Sequence, residues 1–361
     1  MIRDAHELFA ADGIETHVLG TGAIPGDFAD ALRECGYVVR HLPFRRSFGF
    51  FRQLYRWLAG QRFDVVHIHP EQAFVYYAFV CFLARVPRVV ASIHNVYVYK
   101  KALRIRRRVH TWLTESCFGV ERLAIGEAVF EHERMLYGAR PAILHNWIDT
   151  NLFTPILAEE KKRRRAMLGL SDTDFVLIMV GACTDIKNHR RVFDMMAQLP
   201  SAYRHVKCLH LGTGECENAE KQQCRNSGLS DRVRFIGVSR EVHWYMQVAD
   251  LHVLPSLVEG VGNVFLEASA CGLLSVVNDA PGLREVAQQG QVGLIADAGT
   301  DELARVIRAV ADDPPAFAAT AGRARELVLR RHRLETGVRR LITFYRQTNP
   351  TQSPAPQPVH A

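Results

Sequence analysis

Cysteine pairs at C-x-x-C spacing are absent from the sequence, although it holds 8 cysteines. This argues against zinc ribbons and thioredoxin-type redox sites. No apolar run reaches the roughly 20 residues of a membrane-spanning helix, since the longest covers only residues 73–84. The opening residues 1–13 contain acids and no apolar core, so no secretion signal is expected. The thiols are therefore expected to be reduced, as in a cytosolic protein.

The composition is that of a soluble globular protein, with 48% hydrophobic and 23% charged residues. A length of 361 residues exceeds the usual domain size of roughly 100–150 residues, so two domains are expected. The formal net charge of +7 favours anionic partners, such as phosphates, acidic lipid or nucleic acid.

Short apolar strands alternate with helical patterns along the whole chain. This alternation predicts α/β architecture with parallel sheets wrapped by helices. It occurs in both halves, with a polar segment over 151–174 between them, so we expect two Rossmann-like domains that face a cleft. The proline-rich tail over 348–361 is expected to be disordered.

The most informative stretch is PSLVEGVGNVFLEASACG, residues 255–272. A predicted strand ends near Pro255, at the sheet edge where open α/β folds bind ligands. Gly260 and Gly262 let the backbone turn and approach a ligand closely. Asn263 is predicted to cap a helix that starts at Val264, and the free amides there would suit a phosphate.

Two carboxylates flank this turn, Glu259 on the loop and Glu267 about one helical turn in. One could hold the hydroxyls of a sugar and the other those of a ribose, with a diphosphate between them on the amides. The alternative is a glycine-turned helix cap with two solvated acids. The residues by themselves leave both interpretations open.

The segment EGVGNVFLE, 259–267, resembles the E-x7-E signature of family 4 retaining glycosyltransferases, which have the GT-B fold. VGACTDIKNH (180–189), SDRVRFIGV (230–238) and ADLHVLPSLVEG (249–260) follow the family's order and spacing, and DVVHIH, SIHN and HNWIDTNLF resemble its first domain. The bacterial surface-polysaccharide transferases are the nearest in character. The resemblance implies an acceptor domain over 1–152, a donor domain over 153–330 and a helix over 331–347 that packs back on the first domain.

The same resemblance implies a metal-independent hexosyltransferase with a nucleotide-sugar co-substrate, no further cofactor, and a polysaccharide or lipid-linked acceptor. It assigns catalytic roles to His94, Lys187 and Glu259. Lys187 would bind the diphosphate, Glu259 the transferred sugar and Glu267 the ribose. The implied donor-binding residues are Gly181, Lys187, Gly212, Ile236, Val238, Glu259, Gly260, Gly262, Asn263, Val264 and Glu267.

Two departures from the family pattern stand out. Family members usually begin with a strand and a glycine-rich loop, whereas Met1 here starts inside the helix that follows. We therefore expect the first domain to lack a central strand, because the start lies upstream or the chain is a fragment. Ala182 replaces a usual arginine, so Lys187 must carry more of the diphosphate charge, or Arg190 or Arg191 substitutes.

Other functions remain open at this level. One alternative is a weakly active or non-catalytic subunit that binds nucleotide sugars. Another is an NAD-dependent oxidoreductase, based on GTGECE at 212–217, whose third glycine position holds Glu217. His67 and His69 indicate either a zinc site or a strand end that brings His69 near the cleft.

Residues 99–113 hold six basic residues and no acid. A helix here would carry an apolar stripe formed by Ala102, Ile105, Val109, Trp112 and Leu113. The stripe would either cover the core beneath a solvated face or contact an anionic membrane surface. The second interpretation implies a cytoplasmic protein, peripheral at the inner face of the membrane. No nucleic-acid partner is expected, because no binding motif is present.

Overall fold

The computed structural model describes residues 2–26, 29–70, 73–96, 101–288, 291–296 and 299–347. The strands are β1 (His17–Gly20), β2 (Val38–His41), β3 (Val65–Ile68), β4 (Arg88–Ile93), β5 (Glu121–Ala124), β6 (Ala142–Ile143), β7 (Phe175–Val180), β8 (Val206–Leu211), β9 (Val233–Gly237), β10 (Leu251–Leu254), β11 (Leu274–Asn278) and β12 (Leu294–Ala296). The predicted tail lies outside the described residues.

Helices separate nearly all of these strands, as the sequence predicts. They are α1 (His6–Ala11), α2 (Ala29–Glu34), α3 (Phe48–Gln61), α4 (Phe74–Leu83), α5 (Lys101–Trp112), α6 (Glu127–Tyr137), α7 (Ala158–Met167), α8 (Arg190–Gln198), α9 (Glu217–Asn226), α10 (Val242–Val248), α11 (Asn263–Ala270), α12 (Pro281–Gln288), α13 (Thr300–Asp312), α14 (Ala318–Arg331) and α15 (Leu334–Arg346).

Strands β7 to β12 form one parallel sheet in the order β12-β11-β10-β7-β8-β9. The central strand β7 is the apolar run FVLIMV, which suits a strand covered on both faces. The order reverses between β7 and β10, which is the switch point where open α/β sheets form a ligand crevice beyond the carboxyl ends of their strands. This half is a Rossmann-like domain.

Two separate sheets make up the first half, a pair β1-β2 and a four-stranded sheet β3-β4-β5-β6, all parallel. A cavity of about 960 Å³ is lined by residues of both β1 and β3. Within the described residues no strand pairs with the free edges of β1 and β3. The gap lies where the sequence predicts a missing central strand.

A shared hydrophobic core joins the two halves. Ile93, Ala124 and Val129 of the first half pack in one cluster with Val261 and Phe265 of the second half. Burial of these side chains from water holds the two sheets against each other across the cleft.

The last helix returns to the first half of the chain. Val338 and Leu341 of α15 lie in a cluster with Phe9, Val90 and Trp147. Helix α15 therefore packs against α1 and β4.

The segment over 151–174 is more than a polar connection, because it contains α7. Arg165 of α7 is buried, and its side chain pairs with Asp250 at 2.5 Å and donates to the Val248 carbonyl at 2.9 Å. The KKRRR run therefore anchors a helix on the second domain.

Candidate functional site

The crevice between β7 and β10 collects most of the predicted donor residues. The chain leaves β7 through Gly181 into a short 3-10 turn, Asp185–Lys187. The Leu257 amide donates to the Ile186 carbonyl at 2.8 Å, and the Asn188 side chain donates to the Pro255 carbonyl at 3.3 Å. These two bonds fix the loop after β7 against the loop after β10.

Lys187 and Glu259 meet in this crevice. The Lys187 ammonium donates to the Glu259 carboxylate in a half-buried ion pair. The residue predicted to bind the diphosphate and the residue predicted to bind the sugar are therefore in direct contact. An anionic ligand that reaches Lys187 would have to compete with Glu259, and its binding would release that carboxylate.

Helix α11 begins at the turn that follows Glu259. Gly262 adopts a left-handed backbone with φ of 74° and occupies the N-cap, without a side-chain capping bond. The first amides of the helix, including those of Asn263 and Val264, have no acceptor within the helix and give its start a partial positive charge.

The prediction that Asn263 caps this helix is wrong. Asn263 is the first helical residue, and its side-chain oxygen accepts a hydrogen bond from Asn146 at 2.6 Å. The Asn263 side chain, which the sequence predicts as a helix cap, is therefore bonded to Asn146 of the first domain instead.

Glu267 lies one turn into α11 and is partly buried. Burial is the main cause that raises its pKa to about 7, and the nearby Asp4 carboxylate raises it further. The carboxyl is therefore divided between its protonated and ionised forms at neutral pH.

The turn after β10 also approaches the first domain closely. A Cβ on Gly260 would lie 2.0 Å from the His94 carbonyl oxygen, so only glycine allows this contact. His94, predicted to face the reacting carbon, directly follows β4 and is thereby placed beside the donor turn.

Three histidines, His67, His69 and His94, line the cavity between β1 and β3. His69 Nδ1 lies 3.1 Å from His94 Nε2, and the His67 and His69 rings stack with centroids 4.3 Å apart. Burial lowers the pKa of His69 to about 4 and that of His67 well below its usual value, so both rings are neutral at pH 7. His67 bonds to Ser92 and Tyr345, so hydrogen bonds account for its two ring nitrogens.

The remaining predicted residues lie at neighbouring strand ends. Ile236 is half-buried and Val238 is exposed, both at the end of β9, the edge strand. Gly212 follows β8, and a Cβ there would lie 1.8 Å from the Gly181 carbonyl oxygen. Glycine is therefore required at position 212 for β8 to pack against β7.

Arg191 does not replace the missing arginine. Its guanidinium is buried and donates to Asn278 at 2.8 Å and to the Gly299 carbonyl at 2.7 Å. It therefore joins the start of α8 to the end of β11 and the start of α13, and that alternative is wrong. Arg190 is exposed on α8.

Comparison with known proteins agrees with this geometry. Residues 1–152 match the family model Glycosyltransferase Family 4, and residues 160–327 match the model Glycosyl transferases group 1. The two matches together take in most of the chain. The chain belongs to the GT-B glycosyltransferases.

Individual relatives of this glycosyltransferase are distant. It is 25% identical over 301 residues to the putative glycosyltransferase EpsD of Bacillus subtilis, covering 81% of this chain and 78% of the relative. It is 24% identical to the UDP-Gal:alpha-D-GlcNAc-diphosphoundecaprenol alpha-1,3-galactosyltransferase of Escherichia coli, covering 63% of this chain and 61% of that one.

The fold is similar to that of Anabaena Alr3699/HepE solved in complex with UDP-glucose. The TM-score is 0.82 at 22% identity, and the alignment covers 95% of this chain and 94% of that one. The lipopolysaccharide glycosyltransferase WaaG gives a TM-score of 0.71 at 17% identity, covering 96% of this chain and 95% of that one. The predicted fold class is confirmed.

Two interdomain residues of this glycosyltransferase escaped the sequence analysis. Asn146 holds Asn263, and Glu285 of α12 accepts the backbone amides of Glu127, at 3.1 Å, and Ala128 at the start of α6. A polar residue in a loop and another in a helix gave no signal of these pairings in the sequence. A carboxylate at a helix start stabilises it, and here it also joins the domains.

Helix α5 of this glycosyltransferase presents its apolar stripe to solvent. Ile105, Val109 and Trp112 are 66%, 54% and 61% exposed, so the expectation that the stripe covers the core is wrong for them. Arg107 instead points inward, where it donates to Glu133 at 2.9 Å and lies 4.7 Å over the Tyr137 ring. Among the described residues, no helix is long and apolar enough to cross a bilayer.

Proposed function

We propose that this glycosyltransferase transfers a hexose from a nucleoside-diphosphate sugar with retention at the anomeric carbon. The observation that carries the proposal is the Lys187–Glu259 pair beside the start of α11, at the switch point of the donor sheet. A cation and the backbone amides at a helix start suit a diphosphate, and an adjacent carboxylate suits sugar hydroxyls. Retention is supported by the resemblance of 259–267 to the retaining-family signature.

In this proposal Lys187 and the amides of Asn263 and Val264 stabilise the charge that develops on the leaving diphosphate. Glu259 exchanges its ion pair for hydroxyls of the transferred sugar. The protein itself supplies these positive groups, which supports transfer without a metal ion.

The remaining donor contacts follow from the same placement. Glu267 accepts hydrogen bonds from the ribose, and the strand ends at Gly181, Gly212, Ile236 and Val238 border the nucleoside. No further cofactor is required in this arrangement.

The acceptor enters from the first domain, where His94 borders the donor turn. A leaving-phosphate oxygen takes the acceptor proton, and the neutral His69 orients His94 through their contact at 3.1 Å. We propose a polysaccharide or lipid-linked acceptor. The diphosphoundecaprenol named in the Escherichia coli relative's description supports this class.

UDP-glucose is the first donor to test, in a panel with UDP-galactose and GDP-mannose. Saturating donor is expected to raise the melting temperature by about 2–5 °C, because a ligand that binds only the folded state stabilises it. The shift is expected to grow from pH 6 to pH 8. Burial raises the pKa of Glu267 to about 7, so the fraction of carboxylate available to ribose hydroxyls increases over this range.

Glu267→Gln is expected to weaken donor binding and to remove this pH dependence. Glu326→Gln on the exposed side of α14 is the matched control and should behave as the wild type. A wild-type protein that binds no nucleotide sugar of the panel would contradict the proposal. Binding without any transfer would instead indicate a non-catalytic nucleotide-sugar-binding subunit.

We also propose that α5 places the enzyme on an anionic membrane surface, near a lipid-linked acceptor. The exposed Ile105, Val109 and Trp112 can enter the interface, while Arg104, Arg106 and Arg108 are exposed beside them. Each such cation contributes at most about 1 kcal/mol near an anionic surface.

The triple variant Arg104→Ser, Arg106→Ser and Arg108→Ser is expected to lose at least tenfold in affinity for vesicles that contain anionic lipid, measured by co-sedimentation. Replacing the exposed Arg323, Arg330 and Arg339 with serine removes the same charge elsewhere and should have little effect. Equal losses in both variants would show that only net charge matters and would overturn the assignment to α5.

A further inference from the structure

Four buried side chains with metal-binding atoms converge in the second domain, next to the donor crevice. They come from four separate places in the fold: Cys183 follows β7, His189 precedes α8, His210 lies in β8 and Glu220 lies in α9. None is more than 2% exposed. One candidate ligand atom from each lies within 4.8 Å of the others.

Hydrogen bonding alone does not satisfy this cluster. His189 Nδ1 lies 2.9 Å from His210 Nε2 and 3.3 Å from a Glu220 oxygen, so at most one proton on Nδ1 serves two acceptors. The second Glu220 oxygen and His210 Nδ1 are buried without a hydrogen-bond partner. Unsatisfied buried polar atoms are costly and call for a partner.

The spacing of the four atoms suits a tetrahedral ion. Zinc binds nitrogen and oxygen at about 2.0–2.2 Å and sulfur at about 2.3 Å, which places neighbouring ligand atoms roughly 3.3–3.6 Å apart. The observed separations are 2.9 Å between His189 Nδ1 and His210 Nε2, 3.3 Å between His189 Nδ1 and one Glu220 oxygen, 3.7 Å between His210 Nε2 and the other Glu220 oxygen, and 4.0 Å between Cys183 Sγ and His210 Nε2. One ligand atom from each residue lies within 4.8 Å of the other three, so modest side-chain shifts would complete the shell.

We propose that Cys183, His189, His210 and Glu220 bind a zinc ion. The donor set of one thiolate, two imidazoles and one carboxylate favours zinc over the harder magnesium and calcium ions. Four protein ligands leave no open position, so the ion is structural and takes no part in sugar transfer. Metal binding releases the Cys183 thiol proton, and one nitrogen of each imidazole donates its lone pair to the metal.

The ion would fix both ends of the loop that carries Lys187. Cys183 and His189 bracket this loop, and a Cβ on Gly181 would lie 3.5 Å from His189 Nε2 and 3.6 Å from Lys187 Cδ. The zinc site thus lies directly behind the proposed diphosphate site. It does not depend on the proposed function, because metal content is measurable without any donor.

The full-length protein, produced without a histidine tag in zinc-supplemented medium and desalted, is expected to hold about one zinc per chain by elemental analysis. Cys183→Ala is expected to lose that zinc. Cys224→Ala, which removes another buried thiol from the helix that carries Glu220, is the matched control and should retain it. Chelation should lower the melting temperature of the wild type and leave that of Cys183→Ala unchanged.

Cobalt provides a readout that does not require a stable variant. The wild type loaded with Co²⁺ should show a thiolate-to-cobalt charge-transfer band together with the strong visible bands of tetrahedral cobalt. A wild type that holds no stoichiometric zinc, or a cobalt spectrum without a thiolate band, would overturn the proposal. Equal zinc in Cys183→Ala would also overturn it, because the ion would then be bound elsewhere.

Discussion

Replacement of Lys187 with alanine is expected to reduce turnover of the glycosyltransferase by about 10²–10³-fold, as does loss of one preorganised charge stabiliser in other enzymes. The ammonium lies at the switch-point crevice, and Ala182 supplies no second cation in the same loop. Arg191 cannot compensate, since its guanidinium is committed to Asn278 and Gly299. The measurement is kcat at saturating donor.

Lys207→Ala is the matched control. Lys207 lies near the start of β8, at the end of the strand opposite to the crevice, and donates to the Asp231 carbonyl at 3.3 Å. Its kcat should be unchanged. Loss of Lys187 also leaves Glu259 buried without its counter-ion, so the melting temperature of Lys187→Ala is measured beside its kcat to show whether lost stability explains the lower turnover. Wild-type turnover in Lys187→Ala would refute its catalytic role.

Gly260→Ala is expected to reduce kcat/KM by about 10²-fold or more, because a misplacement of about 1 Å at a reacting centre costs this much. The new methyl group would lie 2.0 Å from the His94 carbonyl oxygen, and a Cβ added to Gly282 would lie 2.0 Å from the Gly260 carbonyl oxygen, so Gly282 packs closely on the other side. Backbone lies on both sides, so no flexible side chain can yield. The domains must separate, or the donor turn must shift.

Gly322→Ala is the matched control. Gly322 lies in α14, where an added Cβ meets nothing within 4 Å. Alanine there should stabilise the helix slightly and leave kcat/KM unchanged. Wild-type kinetics in Gly260→Ala would show that the contact between the donor turn and His94 is not needed for transfer.

Sequence reasoning located the donor crevice because its signals are local. When a glycine turn joins an apolar strand to a helix, the first backbone amides of that helix lie at the edge of the sheet. This placement does not depend on the rest of the fold. Glu259 and Glu267 could be proposed on that ground, whereas Lys187 was proposed from the family resemblance alone. The capping residue of α11 was predicted wrongly, because the Asn263 side chain forms a hydrogen bond with Asn146, which lies 117 positions away along the chain.

The cluster at Cys183, His189, His210 and Glu220 gave no signal of this kind. Its members lie on one loop, a strand and a helix, and their spacing along the chain fits no metal motif. Parallel pairing of β7 with β8 brings His210 level with Met179 and so next to the loop that holds Cys183 and His189. Only that register makes the four residues neighbours.

The sequence by itself determined the alternation of strands and helices, the two α/β domains and the chemistry of the turn after β10, because these depend on periodicity and on backbone freedom within a few residues. The tertiary structure alone decided that Lys187 pairs with Glu259, that Gly260 packs on His94 and that a thiol, two imidazoles and a carboxylate share one buried point. Such contacts join residues distant in the chain, and they arise only when sheet order and domain packing set their positions in space.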